Sequence, residues 1–404
     1  MTDDREADSG FGRFRRYARV SAAAGGLAAR AAGRRYFGAG DGSVGAQDLT
    51  AALGGLKGPL MKVAQILTTV PDAMPDTYAD QLATLQTNAP HMGWPFVRRR
   101  MANELGRDWA RHFAAFEHEA SHAASLGQVH KARDRDGRVL ACKLQYPDMA
   151  STVEADIRQL RVILDLYRRY DPAIDPGAVH DELATRLREE VDYKREAAHM
   201  RLYRHLLADQ PRLAVPEPVP ELSTGRLLTM TWLDGTPIPK LIERGADRET
   251  RNRVATDLFR AWYAPLYQYG VLHGDPHLGN YAVAPEGGLN LLDFGCIRVF
   301  PPDFVQGVLD LYEALRTDDE DLAVRAYRRW GFGDLNRDVR ETLNQWARFV
   351  YAPLMEDRVR AMDETNAGHY GRDVARKVHH DLKRLGGVRP PRAFVLVDRA
   401  AIGI

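Results

Sequence analysis

The sequence predicts an α+β chain in two lobes, a small sheet with associated helices followed by a mainly helical lobe, with a helical extension in front of both. Three observations predict it. Apolar spacing from Leu49 to Leu85 is helical and is punctuated by Pro71, Pro75 and Pro90. After Phe116 the texture changes to short apolar and β-branched runs, turn residues and helical stretches. Beyond Gly235 the periodicity is helical again, interrupted around His273 to Ile297. The expected boundaries are 1–115 for the extension, 116–235 for the small lobe and 236–404 for the helical lobe.

Taken in order, residues 11 to 50 are rich in Ala, Gly and Arg ("GRFRRYARVSAAAGGLAARAAGRRYFG"), a composition that makes either a basic helix with small residues or a solvated tail. In the small lobe "FEHEA", "GQVHKARD" and "GRVLACKLQY" read as three strands, the last two joined by the turn residues Asp134, Arg135, Asp136 and Gly137. Helical patterns run from Met149 to about Leu206, and "RLAVPEPV" and "RLLTMTWLDG" read as two further strands. The apolar run "FVLVDRAAIGI" at the end carries no evident cap, so a C-terminal continuation is expected.

Composition narrows the function classes. At 404 residues the chain is long enough for two cores, and 45% hydrophobic with 27% charged residues excludes global disorder. The 56 Lys and Arg nearly balance the 55 Asp and Glu, so no nucleic-acid partner is expected. Cys142 and Cys296 both sit in apolar segments, which excludes a disulfide scaffold and suits a reducing compartment. "VSAAAGGLAA" is too short to span a bilayer, and the acidic start "MTDDREADSG" is unlike a signal peptide. The expected location is cytoplasmic, with peripheral contact to the inner membrane.

The chemistry concentrates in "HGDPHLGNYAVAPEGGLNLLDFG", His273 to Gly295. Phosphoryl transfer from ATP needs a carboxylate near the acceptor, and an amide plus a second carboxylate to hold divalent metal on the phosphates. The stretch supplies Asp275, then Asn280, then Asp293 in a D-F-G that follows the apolar "LNLL". A lone D-F-G is often just a turn at a strand end; preceded by H-x-D-x-x-x-x-N, it matches the catalytic and metal-binding loops of kinases. Asn280 and Asp293 are the expected magnesium ligands, an amide oxygen and a carboxylate, both hard donors. Lys143 in "VLACKLQY" stands where a kinase-like small lobe places its lysine, and an ammonium in an apolar strand needs a phosphate or carboxylate partner. Glu196 in "EEVDYKREAAHM" is the candidate partner. Ahead of Lys143, "SHAASLGQVH" has Ala123, Ala124 and Ser125 where typical kinases have a glycine-rich phosphate loop, so nucleotide should be held differently there. Together these features are the protein-kinase-like plan.

The same motifs, in order, resemble the UbiB family (ADCK, AarF) of atypical kinases associated with ubiquinone (coenzyme Q) biosynthesis. The resemblance rests on "KVAQ" (Lys62 to Gln65), "AASLGQVH" (Ala123 to His130), "EVD" (Glu190 to Asp192), "HGDPHLGN" and "DFG", and runs from about residue 15 to beyond 300. Two positions depart from the family pattern: Ala64 replaces the glycine of K-x-G-Q, and His122 replaces the first alanine of the alanine-rich loop. The resemblance implies a bilobal protein-kinase-like fold, ATP or ADP with Mg2+, and a helix face carrying Lys62 and Gln65 that lies across the active site against Glu190 and Asp192. Such a cover would hinder a peptide substrate and keep basal turnover low. From its composition, the basic segment Arg13 to Arg35 is then either a membrane sensor or a solvated tail with no regulatory role. The implied catalytic set is Asp275, Lys143, Glu196, Lys62, Gln65, Glu190 and Asp192; Ala123, Ala124, Ser125, Lys143, Asn280 and Asp293 would hold the nucleotide. Partners expected on the same ground are a lipid or quinone-precursor ligand, a membrane surface and enzymes of ubiquinone biosynthesis; monomer and homodimer both stay open.

Two absences argue against a conventional protein kinase. Gly274 stands where many protein kinases carry the arginine that reads activation-loop phosphorylation, and after D-F-G the chain passes through "CIRVFPPDFVQGVLDLYEAL" with no Ala-Pro-Glu segment. The competing readings are a small-molecule kinase of the aminoglycoside or choline type, which has no need of the K-x-G-Q and E-x-D motifs, and a non-catalytic nucleotide-gated lipid-binding scaffold.

Overall fold

A single hairpin organises the small lobe. In the computed structural model, which describes residues 92–358 and 369–389 apart from 125, 168–175 and 276, together with 391 and 394, strands β3 (Gly127–Asp134) and β4 (Val139–Gln145) pair antiparallel from Gly127↔Gln145 to Arg133↔Val139. Gly137 takes φ 85° in the turn, where a side chain would be strained, and the Asp134 carboxylate accepts the Arg138 N–H at 2.8 Å. β1 (Phe113–Phe116) and β2 (His122–Ala124) pair with β3, and β6 (Leu227–Thr231) pairs with β4, all antiparallel.

β4 is buried almost throughout because both faces of the sheet are covered. Alternate residues point to opposite faces. Leu140, Cys142 and Leu144 pack with Val97, Met101 and Trp109 on the side of helix α1 (Trp94–Leu105), whereas Ala141 joins Tyr193, Ala197 and Met200 of the helix on the other side. Strand parity therefore sends Lys143 toward that second helix.

Helices α2 (Met149–Tyr167) and α3 (Pro176–Glu190) follow; Arg188 pairs with Glu154 at 2.6 Å between them. α4 (Tyr193–Leu206) begins at Asp192, whose carboxylate accepts the N–H groups of Lys194 and Arg195 as an N-cap. In the second lobe β5 (Leu213–Ala214), β10 (Leu289–Leu291), β9 (Tyr281–Val283) and β7 (Thr236–Pro237) form a small sheet in that order, and β8 (Val271–His273) pairs with β11 (Ile297–Val299). Around them lie α5 (Ile238–Glu243), α6 (Arg248–Tyr269), α7 (Pro302–Thr317), α8 (Glu320–Arg329), α9 (Arg337–Met355) and α10 (His369–Arg384). α6 is closed by Gly270 in the left-handed region, and Ala261, Trp262 and Leu266 of this helix enter the larger core. The result is the α+β, protein-kinase-like fold.

Two strand assignments are corrected. "FEHEA" is not a strand; the strand lies earlier, at Phe113–Phe116, because Phe113 and Phe116 pack edge-on against Trp109 while Glu117 and Glu119 stay in solvent. "RLAVPEPV" shrinks to Leu213–Ala214, which pairs in parallel with β10; since Pro216 and Pro218 have no N–H to offer a ladder, the rest of the segment meets β6 only as an isolated antiparallel bridge between Pro218 and Met230. The expected extension helix with Lys62 and Gln65, the segment Arg13 to Arg35, and Ser125 lie outside the described residues.

Candidate functional site

Lys143 is at the centre of the site. It is 7% exposed, and its Nζ donates to Glu196 Oε1 at 2.7 Å and Oε2 at 2.9 Å while lying 3.6 Å from Asp293 Oδ2 and 5.2 Å from the Tyr193 ring centroid. Strand parity supplies the lysine, and the N-cap at Asp192 sets the helical phase that brings Glu196, itself 3% exposed, to face it. Burial works against the charge on Lys143, but Asp293 and Glu196 outweigh it and raise its pKa above the ordinary lysine value. The ammonium is retained at neutral pH.

The residues of the H-x-D-x-x-x-x-N stretch are held by backbone and side-chain hydrogen bonds. His273, the last residue of β8, bonds the Asp293 carbonyl through Nε2 at 2.7 Å, so Nε2 donates and Nδ1 is left to accept the Asp275 N–H at 3.3 Å. One imidazole thus ties the start of the loop to the D-F-G turn. Asp275 is buried, and Asn280 Nδ2 donates to its Oδ2 and to its carbonyl, both at 3.2 Å. With the amide nitrogen so engaged, Asn280 presents Oδ1 as its remaining donor atom for a cation. The β9–β10 hairpin brings the two halves together: Leu292 N–H donates to the Asn280 carbonyl at 2.9 Å, which sets Asp293 beside Asn280. Asp293 Oδ1 accepts the Gly295 N–H at 2.9 Å, and the side chain keeps 27% exposure.

Gly274 has a steric cause. Its N–H donates to the Cys296 carbonyl at 2.6 Å, and a Cβ there would lie 2.7 Å from Cys296 Sγ. No arginine fits at this position while β8 and β11 stay paired.

The acids of the E-x-D motif separate in space. Glu190 ends α3 and its Cγ lies beside Gly295, where a Cβ on that glycine would approach it to 4.0 Å. Asp192 is spent on capping α4. Between them the Val191 carbonyl accepts Gln145 Nε2 at 2.9 Å, fixing the motif to the end of β4. Ala123 and Ala124 are not in an open loop; they are strand residues of β2, opposite Gln128 and Gly127.

Lys143, Glu196, Asp275, Asn280, Asp293 and Glu190 are therefore brought into one neighbourhood, with Asp192 at its margin. Sequence reasoning missed three residues that shape it. Gly127 packs so tightly that a Cβ would meet the Leu144 carbonyl oxygen at 2.2 Å and the Tyr193 hydroxyl at 2.9 Å. Tyr193 is fully buried, and its hydroxyl has no hydrogen-bond partner among the described residues. His199 Nδ1 bonds the Phe294 carbonyl at 3.1 Å, tying α4 to the D-F-G turn. His199 follows Glu196 at an i, i+3 spacing and so shares its side of α4, and that periodicity was the available signal for a second inward position on the helix.

Comparison with known proteins agrees with this geometry. Residues 84–327 match the ABC1 atypical kinase-like domain. The chain is 33% identical over 296 residues to the chloroplastic protein Activity of BC1 Complex Kinase 8 of Arabidopsis thaliana, covering 70% of this chain and 38% of that one. It is 30% identical over 252 residues to the mitochondrial atypical kinase COQ8 of Saccharomyces cerevisiae, covering 62% of this chain and 50% of that one. The chain thus spans half or less of the length of these relatives. Among solved structures, the complex of Rv3197 with erythromycin from Mycobacterium tuberculosis matches with a TM-score of 0.53 at 28% identity, covering 88% of this chain and 95% of the other.

Proposed function

The chain belongs to the ABC1 atypical kinase-like family, and from that membership we propose that it is a magnesium-dependent, ATP-binding enzyme of the UbiB type, an ATPase or a kinase for a small-molecule or lipid acceptor, that supports ubiquinone biosynthesis. The observation that carries this reading is the bridging of Glu196 and Asp293 by one buried lysine, beside the hydrogen-bonded pair Asp275 and Asn280. The link to ubiquinone rests on the motif resemblance and on the yeast relative COQ8.

The donor set suits a magnesium nucleotide. Among the described residues no group of three His, Cys, Asp or Glu could hold a metal alone. Asn280 and Asp293 supply two hard oxygens, as expected where phosphates and water complete the shell. Bound magnesium would neutralise charge on the phosphates and orient them. Lys143 offers a fixed positive charge for the same phosphates, and Glu196 positions it. Asp275, oriented by Asn280, takes the proton from an acceptor hydroxyl or from water. Glu190 lies beside Gly295 and would act through the turn that carries Asp293, and Ala123 and Ala124 of β2 would help hold the nucleotide.

The membrane part of the proposal falls on Arg13 to Arg35: basic residues meet anionic headgroups while small apolar residues enter the interface. Among the described residues no helix is long and apolar enough to cross a membrane. The test is magnesium-dependent nucleotide binding and hydrolysis by the purified chain, with and without anionic liposomes. Asp293→Asn is expected to abolish both binding and hydrolysis; unchanged values would overturn the assignment. Liposomes are expected to stimulate the intact chain and to do much less after deletion of residues 1–40, and equal stimulation of both would remove the sensor.

A further inference from the structure

Arg298, on β11 just past the D-F-G turn, is buried against a helix far from it in sequence. Its Nη1 lies 2.7 Å from Glu182 Oε1 of α3, with side-chain exposures of 8% and 5%. The same Glu182 oxygen is 2.7 Å from Arg186 Nη2, Arg186 also pairs with Glu189, and Glu189 pairs with Arg195 of α4 at 2.8 Å. α4 in turn reaches the D-F-G turn through the bond from His199 to the Phe294 carbonyl. A chain of ion pairs, buried at its Arg298 end, thus joins α3, α4 and β11, the three elements that carry Glu190, Glu196 and the strand after Asp293.

A buried ion pair adds little net stability over a well-packed apolar pair, because desolvation consumes most of the attraction. It does reward one arrangement, since sliding β11 by a residue would strand an arginine in the interior. The loop has no arginine of its own to order this strand, because Cys296 fills the space beside Gly274. We propose that Arg298 is a positioning residue, its pair with Glu182 latching the strand after Asp293 to the helix that ends in Glu190 and so holding Asp293 ready for the magnesium nucleotide. This rests on the reading of Asp293 as a cation ligand. The latch is built from the chain's own charges and needs no added phosphate.

The experiment uses the full chain with Arg298→Met, Arg298→Lys and Glu182→Gln. In Arg298→Met, Glu182 keeps Arg186 as a partner, so no carboxylate is left buried alone. Expected for Arg298→Met are a near-native thermal midpoint, amide exchange across residues 295–300 faster by about tenfold with the small-lobe sheet unchanged, and ADP-magnesium binding weaker by about tenfold; Glu182→Gln, which takes the carboxylate from buried Arg298, should show the same two changes with a lower midpoint. Arg298→Lys should recover part of both effects, which a simple packing role would not produce. If Arg298→Met fails to fold, Glu182→Gln carries the same two readouts. Unchanged exchange across 295–300 with unchanged ADP-magnesium affinity would overturn the latch. Should the unaltered chain bind no ADP-magnesium, the reading of the site falls, and exchange alone decides the latch: faster exchange supports it and unchanged exchange overturns it.

Discussion

Replacing Lys143 by methionine removes the cation that bridges Glu196 and Asp293. Glu196, now without the two bonds at 2.7 and 2.9 Å, is left buried with Asp293 nearby. Removing one partner of a buried pair costs about 3–5 kcal/mol, because the remaining charge is uncompensated. With an unfolding entropy of about 2 cal/mol/K per residue over 404 residues, that is a loss of about 4–6 °C in Tm. The pH dependence has a definite sign. Burial raises the Glu196 carboxyl above its ordinary value, and loss of Lys143 removes the group pulling it down. A carboxyl raised in the native state contributes stability at low pH that is lost as pH rises through its folded value. The deficit of Lys143→Met should therefore shrink at about pH 5 and be full at about pH 8. Lys143→Met with Glu196→Gln leaves no buried charge in the pair, and should recover most of the loss. Chemical denaturation of the chain, the two single variants and the double variant at both pH values gives the coupling. Equal stability of Lys143→Met and the double variant, with a deficit independent of pH, would refute the reasoning.

Two further outcomes follow from close contacts in the same region. Gly127→Ala drives a Cβ to 2.2 Å from the Leu144 carbonyl, a backbone atom that cannot yield without opening the β3–β4 ladder, so a loss of about 1–3 kcal/mol is expected in denaturant melts. A melt indistinguishable from the parent would mean the hairpin is looser than described. His199 has its pKa lowered, chiefly by burial, so the native state prefers the neutral ring. Below about pH 6.5 the unfolded chain then binds more protons, and stability falls with falling pH. His199→Gln should flatten that slope between about pH 6.5 and pH 5, and parallel slopes would argue against it.

Much of the site was legible because its spacing is local. Asp275, Asn280 and Asp293 lie on one loop and one hairpin, so their order along the chain already limits where they meet. The lysine was legible through period 2: in a strand covered on both faces, parity alone sends Lys143 away from Leu140, Cys142 and Leu144. The expected strands "FEHEA" and "RLAVPEPV" were drawn wrongly for a different reason. Edge segments such as Phe113–Phe116 and Leu213–Ala214 are short, and their pairing is decided by the sheet that receives them.

What the sequence by itself determined is the set of chemical groups and their local order: the carboxylates, the amide and the lysine strand. The sequence also named Glu196 as the candidate partner of Lys143, 53 residues away. Only the tertiary structure added Asp293 to that lysine and paired Arg298 with Glu182 on α3, far back along the chain. Such pairs depend on the docking of helices onto a sheet, and local periodicity carries no information about that distance. Gly127 and Gly274 show the same limit, since a missing Cβ acquires meaning only when the Leu144 carbonyl and Cys296 Sγ are in place against it.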